Sequence, residues 1–320
     1  MLRTLFLLVL FWFTSSSIQA SAADIAILKS SDLSYYEQAI AGFKASLSPA
    51  TKMREYNLGG HLERGREIGK ALRASPPDLV FAVGLKAAMA AKLEIFDTPV
   101  VFCMVLNPEQ HGLPAANMTG IAVRTPAEAQ LSALRSVLPN RQRVGLLYDE
   151  EHSGTFVREA LQEAKRQGVE LVTVAVRRHE EIPKAFRGLL PQIDALWLIQ
   201  DSTVVTESAI PFFLGSTLEA KVPVFTFSSM LVQQGALGAL VLDPRSVGQQ
   251  AARIAVSRLK ESGAYAGLLQ APEYPQLALN MNSAEYLGIV LTPDVTRLAR
   301  ERFSGPGVMA RESIPSDVIP

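Results

Sequence analysis

One layout of residues is written twice along this chain, and that repetition constrains the fold more than any single motif. The apolar run at 25–28 is answered at 144–147, Pro77-Asp78-Leu79-Val80 by Ile193-Asp194-Ala195-Leu196, and Thr98-Pro99-Val100-Val101-Phe102 by Lys221-Val222-Pro223-Val224-Phe225. Ile25 and Val144, Pro77 and Ile193, and Pro99 and Pro223 stand 119, 116 and 124 residues apart. Near-constant spacing across three pairs predicts two similar lobes. Amphipathic stretches separate the short apolar runs, which is the pattern of βα units around a parallel sheet. The expected fold class is therefore α/β, with two doubly wound parallel-sheet lobes. Strands are expected at 25–28, 79–83, 100–105, 144–148, 171–176, 195–199 and 224–227, with a weaker one at 51–56.

The helical signals lie between them. The clearest helix is expected at 126–138, with Leu131, Leu134 and Leu138 on one face, Thr125 as N-cap, Pro126 at the first position and Glu128 closing a capping box. Another is expected at 155–167, stopped by Gly168. After Gly235-Ala236-Leu237 and Asp243-Pro244 comes a helix at 247–259, carrying Ala251, Ile254, Ala255 and Leu259 on one stripe. The chain loosens at Ser262-Gly263-Ala264, then gives a last strand at 277–280 and a helix at 283–287. Residues 304–320 lack periodicity and read as a mobile tail.

Residues 1–22 read as a cleavable signal peptide, with Arg3 before an apolar stretch at 5–13 and a small-residue site at Ala20-Ser21-Ala22. Nine apolar residues fall short of the roughly 20 that span a bilayer. The sole cysteine, Cys103, lies far from that site, so a cleaved periplasmic or secreted protein is expected, not a lipoprotein. Cys103 has no intrachain partner and stands in an apolar run, as a small buried hydrophobe does. The chain has 31 Lys+Arg and 31 Asp+Glu, which offers no bulk field for nucleic acid or an anionic membrane. A mature chain of roughly 300 residues is long enough for two domains, each with its own core.

Several strings resemble a known family when taken in order: Pro77-Asp78-Leu79-Val80, Thr98-Pro99-Val100-Val101-Phe102 with Asn107-Pro108, Asn117-Met118-Thr119-Gly120-Ile121, Leu138-Pro139-Asn140 with Val144-Gly145-Leu146-Leu147-Tyr148, Asp201-Ser202-Thr203-Val204-Val205, and Gly235-Ala236-Leu237 through Gly248-Gln249-Gln250-Ala251-Ala252. The chain resembles the periplasmic substrate-binding proteins of ABC transporters, in the tryptophan/tyrosine-binding group with a type I periplasmic-binding-protein fold. That resemblance implies three hinge crossings, here near 120–124, 240–244 and 266–275. It also implies an N-terminal lobe of 23–121 plus 244–266 and a C-terminal lobe of 122–243 plus 267–303.

Ligands of open α/β sheets bind at the carboxyl ends of the strands. In the first lobe those loops offer Ser30, Ser31, Tyr35, Gly84, Leu85, Met104 and Asn107 as ligand-binding candidates. In the second they offer Tyr148, Gly154, Thr155, Asp201, Ser202, Phe227 and Ser228. Asp201 either pairs with a ligand ammonium, as the resemblance implies, or caps a helix. Gly154 and Thr155 either meet a ligand carboxylate at the opening of a helix or merely cap it. Tyr35, Tyr36, Tyr148 and Phe227 either stack on a ligand or belong to the core. Leu85, Leu106 and Asn107 stand where the family usually has Thr or Asp, and Ser228 and Ser229 where it has acidic residues. Those departures point to a bulkier apolar ligand or to a member that senses.

No nucleophile elbow, zinc-protease helix, paired-cysteine, Walker or dinucleotide motif is present. His61, His111, His152 and His179 are scattered and read as surface or loop residues, and Glu150-Glu151-His152 as a solvated loop. No enzyme, metal or cofactor is expected. The expectation is a monomeric extracytoplasmic protein that captures an amino acid or a related small, partly apolar molecule between two lobes and delivers it to an ABC permease. A periplasmic sensing module for a membrane receptor is the alternative, and an extracytoplasmic enzyme a weaker one.

Overall fold

The most apolar runs, Leu79–Val83 and Val100–Val105, are buried at every residue, as strands covered on both faces must be. The computed structural model describes residues 23–260 and 267–304; the leader, the loosened stretch at 262–264 and residues 305–320 lie outside the described residues. The first lobe opens with β1 (Asp24–Lys29), α1 (Ser34–Ala45), β2 (Lys52–Asn57), α2 (Leu62–Ala74), β3 (Leu79–Val83), α3 (Leu85–Glu94), β4 (Val100–Val105) and β5 (Met118–Ala122). The second follows with α4 (Ala127–Val137), β6 (Arg143–Tyr148), α5 (Glu150–Gln167), β7 (Glu170–Ala175), α6 (Ile182–Leu189), β8 (Ala195–Trp197), α7 (Ala209–Glu219), β9 (Val224–Thr226), α8 (Ser229–Gln233) and β10 (Gly238–Val241). The chain ends with α9 (Pro244–Lys260), β11 (Leu268–Gln270), β12 (Gln276–Asn280), α10 (Met281–Tyr286), α11 (Pro293–Leu298) and β13 (Ala299–Phe303).

Two sheets result, ordered β11-β5-β4-β3-β1-β2 and β13-β12-β10-β9-β8-β6-β7. The repeat in the sequence is a repeat in register. Ile25 pairs with Leu79 in the first sheet and Val144 with Ala195 in the second; Val80 pairs with Val100 and Leu196 with Val224. The strands β1, β3 and β4 thus occupy the places that β6, β8 and β9 occupy in the other lobe. The sheets differ at one edge, where β11 joins β5 in parallel but β12 joins β10 antiparallel.

The chain crosses between lobes after β5, after β10 and after β11. Helix α9 returns to the first lobe, where Gly42 of α1 and Gly248 of α9 let the two backbones touch; a Cβ on either would overlap the facing helix. Val247, Ala251, Ile254 and Ala255 then enter the core formed by Ile25, Phe43 and Phe81. The lobe boundary at residue 267 is corrected by β11, which pairs with β5 through Leu268 and Thr119 and so belongs to the first lobe. Its apolar signal is only three residues long, too short to register as a strand in sequence. The expected N-cap is corrected too: α4 starts at Ala127 with Pro126 as N-cap and no side-chain cap bond. The Thr125 carbonyl accepts from Gln130 Nε2 at 2.7 Å, and Gln130 Oε1 accepts from the buried Trp197 indole at 3.2 Å, so this crossing is fixed to the second-lobe core. Strand β13 carries no apolar run and went unrecognised in sequence; it is held by pairing with β12.

Candidate functional site

In each sheet the strand order reverses about one pair, β1 and β3 in the first lobe and β6 and β8 in the second, and the loops leaving that pair form the ligand-binding crevice of such folds. The first-lobe crevice is built from backbone geometry. Ser30 is buried, and its hydroxyl accepts from the Ala87 N–H at 3.0 Å, capping α3. Gly84 sits at φ 87 and ψ 166, a region open only to glycine, and a Cβ there would lie 2.6 Å from Ser30 Oγ and from the Tyr36 ring. Ser30 and Gly84, expected to touch ligand, thus also hold the loops of the fold. Ser31 is half-buried at the crevice rim. Tyr35, in the first turn of α1, is 44% exposed and edge-on to Tyr36 at 4.5 Å. Leu85 is partly buried and packs into the core beneath α3. Met104 and Asn107 both adopt positive φ, 58 and 46, as β4 turns away from the sheet.

The second-lobe crevice is built from carboxylates. Asp201 is buried; its Oδ2 accepts from the Asp149 N–H at 2.8 Å and its Oδ1 from the N–H groups of Thr203 and Val204 at 3.0 and 3.2 Å. Both oxygens are engaged with backbone, as the capping alternative requires. Asp149 caps α5 by accepting from Glu151 N at 2.9 Å and also accepts from the Thr203 hydroxyl at 2.7 Å. Burial raises the Asp149 carboxyl, but Thr203, the Glu151 N–H and His152 outweigh it and hold it below the usual carboxylate range. His152, expected as a surface or loop residue, lies in the first turn of α5 with Nδ1 3.1 Å from Thr203 Oγ1 and 3.2 Å from Asp149 Oδ2.

Because α5 begins at Glu150, Gly154 and Thr155 stand in its second turn and not at its opening. Gly154 is buried beneath the Glu150 carboxylate, whereas Thr155 is exposed. Tyr148 packs partly buried against the second-lobe core, and burial with a hydrogen bond to Glu150 raises its phenol. Phe227 is partly buried against that lobe's other apolar cluster. Ser228 precedes α8 without a side-chain cap bond, and Ser202 is exposed.

The lobes meet where β4 and β6 end. Asn107 Nδ2 donates to the His152 carbonyl at 3.3 Å and Gln110 Nε2 to the Glu151 carbonyl at 3.1 Å. Beside these contacts lies a cavity of about 380 Å³, walled by the first crossing, the start of α5 and residues 269–271. Of the sequence candidates only Asn107 and Thr155 line it; they are joined there by Gln110, Arg124, Phe156 and Glu159. Arg124 reaches the Gln200 carbonyl through Nη2, and its guanidinium lies over the Phe156 ring at 4.8 Å.

The family model for ABC transporter substrate-binding proteins matches residues 49–303, most of this two-lobed chain. The chain belongs to that family. The chain is 25% identical to a tyrosine-binding protein of Clostridioides difficile strain R20291 over 212 residues, 64% of this chain. That match spans 61% of the curated relative's length. A ligand-free, open substrate-binding protein with adhesive properties from Clostridium difficile superposes with a TM-score of 0.76 at 20% identity, over 88% of this chain and 99% of that one. An ABC domain from Streptococcus pneumonia in complex with L-Trp gives 0.62 at 24% identity, over 88% and 100%. These two likenesses establish the fold, a pair of lobes of the type I kind.

For this substrate-binding protein, sequence reasoning missed Arg124, Gln110, Phe156 and Asp149, and took Thr203 only as part of a motif. Arg124 did carry a signal: it is the only lysine or arginine between residues 112 and 134, two residues past the strand that leaves the first lobe. Phe156 reads in sequence as one more apolar position of α5, and only the folded chain sets it against the cavity.

Proposed function

We propose that this chain is an extracytoplasmic solute-binding protein that captures a small, partly apolar molecule of the amino-acid class between its lobes and delivers it to an ABC permease. The observation that carries this reading is the interlobe cavity, walled by both lobes and their crossings, in a chain of the substrate-binding family. Exposed apolar groups follow strands of both lobes: Leu33 and Tyr35 after β1 and Leu106 after β4 in the first, and Met230 after β9 in the second. Such groups suit an aromatic or aliphatic ligand moiety. The L-Trp and tyrosine named for the relatives fit that chemistry.

Hinge closure on the ligand would present the permease with a surface that the open form lacks, and it needs no chemical step. The leader-like residues 1–22 agree with an extracytoplasmic site of action. A thermal-shift screen of residues 23–320 against amino acids, nucleosides, sugars and small carboxylates tests the reading. An amino acid at 100 times its Kd should stabilise the fold by about 2.7 kcal/mol. A shift with sugars or nucleosides alone would overturn the amino-acid reading, and no shift with any class would overturn capture of a small solute.

A further inference from the structure

Arg124 is held in an unusual way for a cation. Its two protein hydrogen bonds both leave from Nη2, to the Gln200 carbonyl and, at 3.5 Å, to the Ser153 hydroxyl. Its Nε is buried with no hydrogen-bond partner. One face of the guanidinium is covered by Phe156. Among the described residues no carboxylate lies within ion-pair distance of it. A buried charge is ordinarily paired, because desolvating it is otherwise costly, and burial here does weaken the guanidinium's hold on its proton while Asp201, Glu109 and Glu159 act on it only from longer range. Arginine stays protonated in proteins, so the deficit is one of a partner and not of charge. The cavity supplies the space for one: Arg124 is the sole arginine or lysine on its wall.

We infer that Arg124 is the anchor for a ligand carboxylate in the interlobe cavity, and that this site selects acids over their neutral analogues. The inference rests on the solute-binding reading above and assigns the recognition chemistry within it. A planar guanidinium presents parallel donors that match the two oxygens of a carboxylate, and an aromatic ring beneath it fixes its plane. Glu109 and Glu159 line the same cavity and leave a place for the ammonium of an α-amino acid. Because Arg124 bonds a second-lobe carbonyl from the crossing itself, an acid held on it would sit where the two lobes turn about one another.

The test is calorimetric titration of residues 23–320 with L-tyrosine and L-tryptophan and with the corresponding amides, L-tyrosinamide and L-tryptophanamide. Wild type should bind at least one acid more than tenfold tighter than its amide, and Arg124→Gln should erase that difference. Thr155→Glu keeps every contact of Arg124 and places a competing carboxylate on the same wall; it too should abolish acid preference, with an unchanged melting temperature in the absence of ligand. Equal affinity of wild type for acid and amide overturns the anchor and leaves a solute-binding protein standing. So does a preference for acid that survives Arg124→Gln. Failure of wild type to bind any of the four overturns the anchor together with the aromatic amino-acid reading.

Discussion

The two lobes place the same strands in the same register, yet close their crevices by different chemistry. Ser30 follows β1 and Asp149 follows β6, at equivalent positions 119 residues apart. In the first lobe a neutral hydroxyl caps α3, and a glycine allows the loop after β3 to pass against Ser30 and Tyr36. In the second, two carboxylates at Asp149 and Asp201 gather N–H groups from their own loops, and across the loops Asp201 accepts the Asp149 N–H while Asp149 accepts the Thr203 hydroxyl. Topology therefore fixes where a crevice forms, while the residues that seal it are free to be steric in one copy and electrostatic in the other. Residues 23–320 even carry a reporter for each lobe: buried Cys103 in the first and buried Trp197, the only tryptophan in that span, in the second.

The strongest way to break this contrast is Gly84→Ala. A methyl at φ 87 against Ser30 and Tyr36 should remove about 3 kcal/mol from the first lobe in urea titrations, with Cys103 becoming open to thiol labelling before Trp197 fluorescence changes. A loss below about 1 kcal/mol would show that the loop relaxes and that steric closure is not what seals it. Next, Asp201→Ala leaves three backbone N–H groups without their acceptor, and about 2 kcal/mol should be lost from the second lobe, read first at Trp197. The sequence alone favoured equally a loss of ligand affinity with the fold intact; a variant of wild-type stability with weakened ligand binding would restore that role.

Acid should separate the lobes more gently. The folded Asp149 carboxyl lies below its usual 3.8, so its stabilisation is complete above that pH and is lost as pH falls through the lower folded value. The Ser30 cap has no such titration. In acid titration Trp197 should therefore report loosening before Cys103 is labelled by a pyridyl disulfide, which reacts with thiols in acid, and Asp149→Asn should remove that order. The smallest effect concerns the contact between lobes: Asn107→Ala with Gln110→Ala removes two interlobe hydrogen bonds, about 1 kcal/mol in all, and should raise the radius of gyration in small-angle scattering. An unchanged radius would show that the crossings alone set the lobe separation.

Where strands are buried on both faces, their apolar runs were legible: β3, β4 and β6 fall where the residues place them. Pairing of β11 and β13 was not, because three residues in one and the charged Ala299–Phe303 in the other depend on neighbours for their hydrogen bonds. Helix α5 begins five residues earlier than its apolar period suggests, since the Asp149 cap and not hydrophobicity sets its start. Among the candidate site residues, Ser30, Gly84 and Asp201 stand in the loops that the strand ends dictate, and each also makes contacts that hold the fold.

The sequence by itself determined two α/β lobes, the positions of most of their strands and the loops that leave them, because periodic burial and a 116- to 124-residue repeat are countable along the chain. Only the tertiary structure decided which polar atoms remain open to a ligand. Whether Asp201 or Arg124 keeps a free donor or acceptor depends on partners 52 and 76 residues away, at Asp149 and Gln200, and such satisfaction is settled only when the chain has folded.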